Sequence, residues 1–252
     1  MKEDSRFMFG DCRELMKEIQ PETVDLVLTD PPYGIRGNKF SNQYNRTSLY
    51  VMDGYVEVSE DEYGEFSRQW IRELERILRP GGSVYVFSGW NNLRHILNAF
   101  AEDTNLVYRN HLIWKYNFGV WATKKYIVSH YHLLYYVKKP VSDITFNAEC
   151  RFSLKGRVKD DSDYGSHNPN YEDREDVWTI RREFKQKKLK NINTLPSALV
   201  RKILSYSSNR DDVVLDPFAG GFTVCLESLS MGRKTIGIEI NDNCKTFIEG
   251  IL

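Results

Sequence analysis

Val24-Asp25-Leu26-Val27-Leu28-Thr29-Asp30-Pro31-Pro32-Tyr33 is the stretch from which the fold can be read. Its first six residues are short, mostly apolar and β-branched, the pattern of a buried parallel strand. The four that follow place a carboxylate and two prolines at the C-terminal edge of that strand, where open α/β sheets bind their ligands. Two prolines fix φ twice and supply no backbone N–H, so the loop is stiff and its carbonyls are open to donors. Asp30 adds a side-chain acceptor and Tyr33 an aromatic face. Acceptors beside a stacking platform suit a planar base carrying an exocyclic amine. The plainer reading is a strand ending in a Pro-rich turn, with Asp30 as its cap and Tyr33 packed.

A second stretch weighs against the plainer reading. Asp211 to Gly221 (DDVVLDPFAGG) is another buried strand running into a Gly-rich turn, followed by a helix over about 222–231. Gly220 and Gly221 permit close backbone approach to a ligand, and the helix start offers unpaired N–H groups. A third strand, 235–240, carries Glu239 near its end and is followed by Asn241. An acidic residue about 20 positions beyond such a turn is placed to bond ribose hydroxyls.

Around these anchors the pattern alternates. Strands are expected at 6–9, 24–30, 83–88, 106–115 and 130–139, the last two paired antiparallel. Helices are expected at 11–19, 60–78, 91–101, 195–205 and from 241 to the C-terminus, with Pro80-Gly81-Gly82 ending the second. Residues 34–57 read as a long loop, and loops of that length in compact domains are usually functional or disordered. Periodicity fails again over 140–190.

In this order the motifs resemble the S-adenosylmethionine-dependent DNA amino-methyltransferases, the N6-adenine/N4-cytosine family, in the permuted arrangement called the β group. The resemblance rests on FGDC at 9–12, DPPY at 30–33, ILRPGGSVYVFS at 77–88, LIWKYNFG at 112–119 and DPFAGG at 216–221, and it spans nearly all of the chain except roughly 140–185. It implies a doubly wound, mostly parallel α/β sheet (a Rossmann-like methyltransferase fold, circularly permuted) with one antiparallel strand. The 252 residues then form one domain: a catalytic half at 1–139, a target-recognition insertion at 140–190, and a cofactor half at 191–252.

The same resemblance implies the roles. Asp30, Pro31, Pro32 and Tyr33 are the catalytic set, with Asp30 also beside the cofactor. Asp11, with the Cys12 backbone, takes the cofactor's adenine; capping the following helix over Glu14 and Leu15 is a compatible second role for Asp11. Asp216, Pro217, Phe218, Gly220, Gly221 and Thr223 line the methionine and ribose pocket, and Glu239 takes the ribose hydroxyls with Asn241 nearby. Phe222 departs from the pattern, since the family commonly has a glycine there, and Leu195-Pro196 stands where Lys-Pro is frequent. Asp at the first catalytic position is associated with adenine N6 and Ser with cytosine N4; structured RNA, or a protein amide with Asn first, are the other substrates of this fold. A regulator without turnover would have no need of an intact DPPY.

Composition bounds the remainder. Formal net charge is zero and pI is near 7, so this is no generic basic nucleic-acid binder. Charge is segregated, with an acidic stretch from Asp160 to Asp176 followed by Arg181, Arg182, Lys185, Lys187, Lys188 and Lys190. Arg181, Arg182, Lys187 and Lys188 are the candidate phosphate contacts of a double-stranded DNA partner. Base readers are expected among Arg151, Tyr164, His167, Asn168, Asn170 and Tyr171, with help from the loop 36–56. Four scattered cysteines without a Cys-x-x-Cys pair predict no metal site and a reducing cytoplasm, and none follows a proline as a cytosine-C5 nucleophile would. No apolar run spans a membrane and the polar N-terminus is no signal peptide. The recognition sequence, a homodimer and a restriction endonuclease partner are all left open.

Overall fold

The computed structural model describes residues 5–32, 58–117, 119, 121, 123–148, 150, 174–183 and 194–250. Tyr33, the loop 36–56, the proposed base readers between 151 and 171, and Lys187 and Lys188 lie outside them.

Among the described residues, eight strands form one sheet: β1 (Arg6–Phe9), β2 (Val24–Thr29), β3 (Leu78–Ser88), β4 (Val107–Lys115), β5 (His130–Val137), β6 (Val177–Thr179), β7 (Val213–Asp216) and β8 (Lys234–Glu239). Their order is β1-β8-β7-β2-β3-β5-β4-β6. Only β5 runs against its neighbours β3 and β4; every other pairing is parallel. The expected mostly parallel sheet with one reversed strand is what forms. Helices α1 (Cys12–Leu15), α2 (Tyr63–Ile77), α3 (Trp90–Asp103), α4 (Ser197–Ser207), α5 (Thr223–Ser230) and α6 (Lys245–Glu249) complete the described elements.

The sheet is covered on both faces, and alternate strand residues serve alternate layers. Val84 and Val86 join Trp70, Ile71 and Leu74 of α2 and Ile96 and Phe100 of α3 in one core. Tyr85 and Phe87 face the other way, toward Leu199, Val200 and Ile203 of α4. Two aromatic pairs fix β3 and β5 in these layers: Tyr85 stacks on Tyr135 across the strands at 4.3 Å, and Tyr136 of β5 stacks on Phe100 of α3 at 4.0 Å.

Beyond shifts of a few residues at element ends, three departures from expectation concern the sheet and the first helix. The strand β3 begins at Leu78 and runs through Pro80-Gly81-Gly82, because Leu78 pairs with Val24 before the register shifts by a bulge. Gly81 supplies the positive φ of +75° that the bulge requires. The first helix is one α turn followed by a 3₁₀ turn, Met16–Glu18. In the aperiodic segment, three residues (Val177–Thr179) pair with β4 as an edge strand too short to leave a pattern.

Of the three described non-glycine residues with positive φ, Glu22, Asp211 and Phe222, Phe222 is the buried one. It precedes α5 with φ 57° and ψ 21°, in the left-handed region that favours glycine. Its ring is fully buried, edge-on to Phe7 at 5.6 Å and tilted against Phe9 at 6.2 Å. The aromatic pocket from β1 holds in place a residue whose backbone conformation costs about 1–3 kcal/mol. Replacement tests this balance. Phe222→Ala loses the ring and keeps the strain, so it should destabilise by about 3 kcal/mol or more. Phe222→Gly loses the ring and relieves the strain, so its urea midpoint should lie above that of Phe222→Ala, the reverse of the usual order at helix positions.

Candidate active site

Because β1, β8, β7 and β2 are parallel neighbours, the segments that follow them emerge side by side on one edge. The edge gathers Gly10 and Asp11, Glu239 and Asn241, Asp216 to Gly221, and Asp30 to Pro32. The backbone end of β8 grips both flanks: the Ile238 carbonyl accepts from Ala219 N at 2.8 Å, and the Glu239 carbonyl accepts from Gly10 N at 2.9 Å.

Asp216 lies beneath the site. It is buried, and its Oδ1 accepts from the Thr29 hydroxyl at 2.8 Å and from Phe218 N at 3.1 Å. Burial first, and then the nearby Asp30 and Glu239 carboxyls, push its pKa up to about 7 against the two bonds that favour the anion. Both donors use Oδ1, which leaves Oδ2 as the place for a proton. Thr29, which carries no mark of this in the sequence, thus splices the two motif strands together.

Glu239 is likewise buried. Its Oε2 accepts from Gly220 N at 2.7 Å and its Oε1 from Asn241 N at 2.9 Å, while burial raises its pKa. Its carboxylate therefore shapes the glycine turn from below, in addition to any contact above. Gly220 has φ +48°, and a Cβ at Gly221 would stand 2.7 Å from the Thr194 methyl, so the turn admits no side chain there.

Asp11 is more occupied than expected. Its carboxylate caps the Arg13 N–H at 2.9 Å and holds the Arg13 guanidinium through both oxygens, at 2.5 to 3.1 Å. Hydrogen bonding by Arg13 lowers its pKa. The N–H groups of Glu14 and Leu15, expected at the side chain, go instead to the Asp11 carbonyl. Arg13 in turn reaches Gln69 at 2.8 Å and lies 5.5 Å from the centre of the Phe66 ring. Cys12 is buried, and burial raises its thiol pKa out of the reactive range. Phe218 is edge-on to Trp70 at 5.3 Å and tilted against Phe66 at 5.8 Å, which ties the turn to α2.

The Asp30–Pro32 segment has a support that the sequence did not announce. Tyr63, the first residue of α2 and nearly wholly buried, donates its hydroxyl to the Pro32 carbonyl at 2.7 Å. The contact joins residues 31 apart across a loop, and a tyrosine on an apolar helix face carries no local mark of it. Pro31 is buried and Asp30 half-buried.

Of the basic candidates, Arg181 is exposed. Arg182 is not spread into solvent. Its guanidinium lies 5.0 Å from the centre of Tyr116, 5.4 Å from Tyr131 and 5.7 Å from Trp114.

With this geometry in view, the comparisons are specific. The family model described as DNA methylase matches residues 24–249. The type II methyltransferase M.BamHI of Bacillus amyloliquefaciens is 34% identical, covering 95% of this chain and 55% of that protein. The DNA adenine methyltransferase YhdJ of Escherichia coli is 30% identical, covering 95% and 79%. In fold, the chain matches the M1.HpyAVI complex with S-adenosylmethionine (TM-score 0.63, 20% identity, 98% of both chains) and the cytosine-N4-specific PvuII DNA methyltransferase (TM-score 0.67, 16% identity, 93% and 81%). The chain belongs to the S-adenosylmethionine-dependent DNA methyltransferases of the N6-adenine/N4-cytosine family.

The carboxyl cluster gives a signed test. With its folded pKa raised above the ordinary 3.8, Asp216 holds a proton in the folded state that the unfolded chain has released. Its contribution is therefore full below about pH 4 and is lost as pH rises toward 7. Burial pulls His132 down to about 4, so that residue works in the opposite sense between pH 4 and 6.5. The difference between wild type and Asp216→Asn isolates the carboxyl: thermal melts should show wild type losing ground to the variant as pH climbs from 5 to 8.

Proposed function

We propose that this chain methylates the exocyclic amine of a base flipped out of double-stranded DNA, and that the base is adenine, at N6. The observation that carries the reading is the seam at which Asp30-Pro31-Pro32 and the Asp216–Gly221 turn emerge from adjacent strands joined by the Thr29–Asp216 hydrogen bond.

The residues fit a sulfonium cofactor. Asp30, Asp216 and Glu239 place three mutually repelling carboxyls on one edge, and a cationic ligand above the glycine turn relieves that repulsion. When bound, S-adenosylmethionine supplies an electrophilic methyl group. Glu239 and Asn241 hold its ribose, the Gly220-Gly221 turn admits its methionine part, and the Asp11–Arg13 unit borders its adenine. Pro217, Phe218 and Thr223 complete the wall and the helix start.

The chain's catalytic task is to make a conjugated amine nucleophilic. Asp30 and the Pro31 carbonyl accept its two N–H bonds, which favours a pyramidal nitrogen with its lone pair toward the methyl group. Those bonds strengthen as the nitrogen becomes cationic, so they stabilise the transition state more than the ground state. The Tyr63 hydroxyl engages the Pro32 carbonyl, which leaves the Pro31 carbonyl as the loop acceptor for substrate. Tyr33 provides the stacking face, worth about 1–3 kcal/mol per base, against a flipping cost of a few kcal/mol.

Support for adenine is the aspartate at the first catalytic position and the similarity to a protein named an adenine methyltransferase. Cytosine N4 uses the same acceptors, and the fold is shared with a cytosine-N4 enzyme. Base-resolution mapping of methyl groups placed on unmethylated genomic DNA should find N6-methyladenine within one short sequence; N4-methylcytosine instead would overturn the choice of base. Asp30→Ala should keep cofactor affinity within a few-fold by calorimetry and lose at least a thousandfold in transfer. Tyr33→Phe should be mild and Tyr33→Ala severe.

A further inference from the structure

The β4–β5 hairpin carries an unusual composition for a chain of zero net charge. Between Asp103 and Asp143 there is no acidic residue, while Arg109, Lys115, Lys124, Lys125, Lys138 and Lys139 are all cationic. Lys138 is used at the far edge, where it bonds Glu22 and the Leu78 carbonyl. Lys115, Lys124 and Lys125 are exposed at the other end, around the loop between the strands. The same loop presents large apolar groups to solvent: Trp121 is 78% exposed, Tyr126 97% and Val128 55%. Aromatic and cationic side chains clustered and unburied together mark a surface built for a partner.

Topology says where that surface points. The strand β4 runs parallel to β2, so its C-terminal end, and the loop after it, lie on the same edge as Asp30. Three strand spacings separate β4 from β2, roughly 14 Å, which is about four base pairs along a duplex. The loop also has a firm base. Tyr116 N donates to the Ser129 carbonyl at 3.0 Å, closing it. A Cβ at Gly119 would stand 2.2 Å from a methyl carbon of Ile127, so glycine alone lets the two sides of the loop meet. Beneath it, Trp114, Tyr116 and Tyr131 pack around the Arg182 guanidinium.

We infer that the tip of the β4–β5 hairpin is a DNA-contact element, with Lys124 and Lys125 on phosphates and Trp121 and Tyr126 against bases unstacked by flipping. The inference rests on the DNA methyltransferase reading and adds to it a surface outside both segments, 36–56 and 140–190, to which the sequence assigns recognition. Lysine gives affinity without sequence information, and an aromatic face held at an opened step offsets lost stacking. The tip therefore holds the duplex and its opened step, and leaves the choice of site to other residues.

The two halves of the tip separate by salt. Binding of a fluorescein-labelled random-sequence duplex, and of the same duplex with one central mismatch, is followed by anisotropy from 50 to 300 mM salt. Lys124→Ala/Lys125→Ala should weaken both at least tenfold at 100 mM and lower the slope of log K against log salt by roughly 1.8; Lys124→Arg/Lys125→Arg should restore it. Trp121→Ala/Tyr126→Ala should leave that slope unchanged and weaken the mismatched duplex by about tenfold or more, with less effect on the intact one. Cofactor affinity and melting temperature should match wild type in every variant. Wild-type slopes and affinities in both double alanine variants would overturn the inference while leaving the enzyme reading intact. Absence of duplex binding by the wild type would overturn the reading itself. If sedimentation shows a dimer that only Trp121→Ala/Tyr126→Ala dissolves, with DNA binding unchanged, the tip is an interface between copies and the DNA assignment is wrong.

Discussion

The seam between β2 and β7 is the contact on which the rest depends. Its ladder is short, pairing Leu26 with Val214 and Val27 with Leu215. Side chains of β2 extend it at both ends: Asp25 Oδ2 accepts from Val213 N at 2.8 Å, and the Thr29 hydroxyl donates to Asp216 at 2.8 Å. Asp25 also binds Arg79 of β3, so one carboxylate ties three central strands at their N-terminal edge. The partners are nearly 190 residues apart in the chain, and closing so long a loop costs several kcal/mol of entropy before any contact forms. Buried ladders of Val and Leu on both faces are what offset it.

Above the seam, the site is arranged with tension. Three carboxyls share an edge, two of them buried, and a phenylalanine is held in a glycine's conformation at the start of α5. Each cost is met locally. Backbone N–H groups from Gly220, Asn241 and Phe218 satisfy the carboxyl oxygens, and Phe7 and Phe9 enclose the Phe222 ring. The glycine turn is thus held by contacts of its own, and a site ordered in advance leaves binding energy for reaction rather than for ordering the protein.

Much of this was legible from residues alone, and the limits follow from range. Apolar runs with a period of two or of about 3.6 marked most of the strands and helices, because burial on defined faces imposes those periods. The two Asp-Pro motifs pointed to the edge, since such residues end strands. What periodicity does not encode is who meets whom across the sheet. Nothing local to Thr29, Tyr63 or Arg13 sets them apart, yet each positions a candidate site residue. Val177–Thr179 escaped because three residues on a sheet edge are too few to carry a pattern. Phe222 was noticed as a substitution for glycine, but its left-handed backbone and its pocket needed β1 in place beside it.

The strand order has a consequence for how the chain is made. Among the described strands β1 is made before the others and pairs with β8, the one made after them all. At translation rates of about 5–20 residues per second, β1 waits on the order of ten to forty seconds without a neighbour. Through the same interval β2 has β3 on one side and an open hydrogen-bonding edge on the other, until residues 213–216 appear. Until then β2, β3, β5 and β4 are the described neighbours able to pair as a provisional sheet. Its vacant border is the place where a chaperone, or a second nascent chain on the same message, would meet it first.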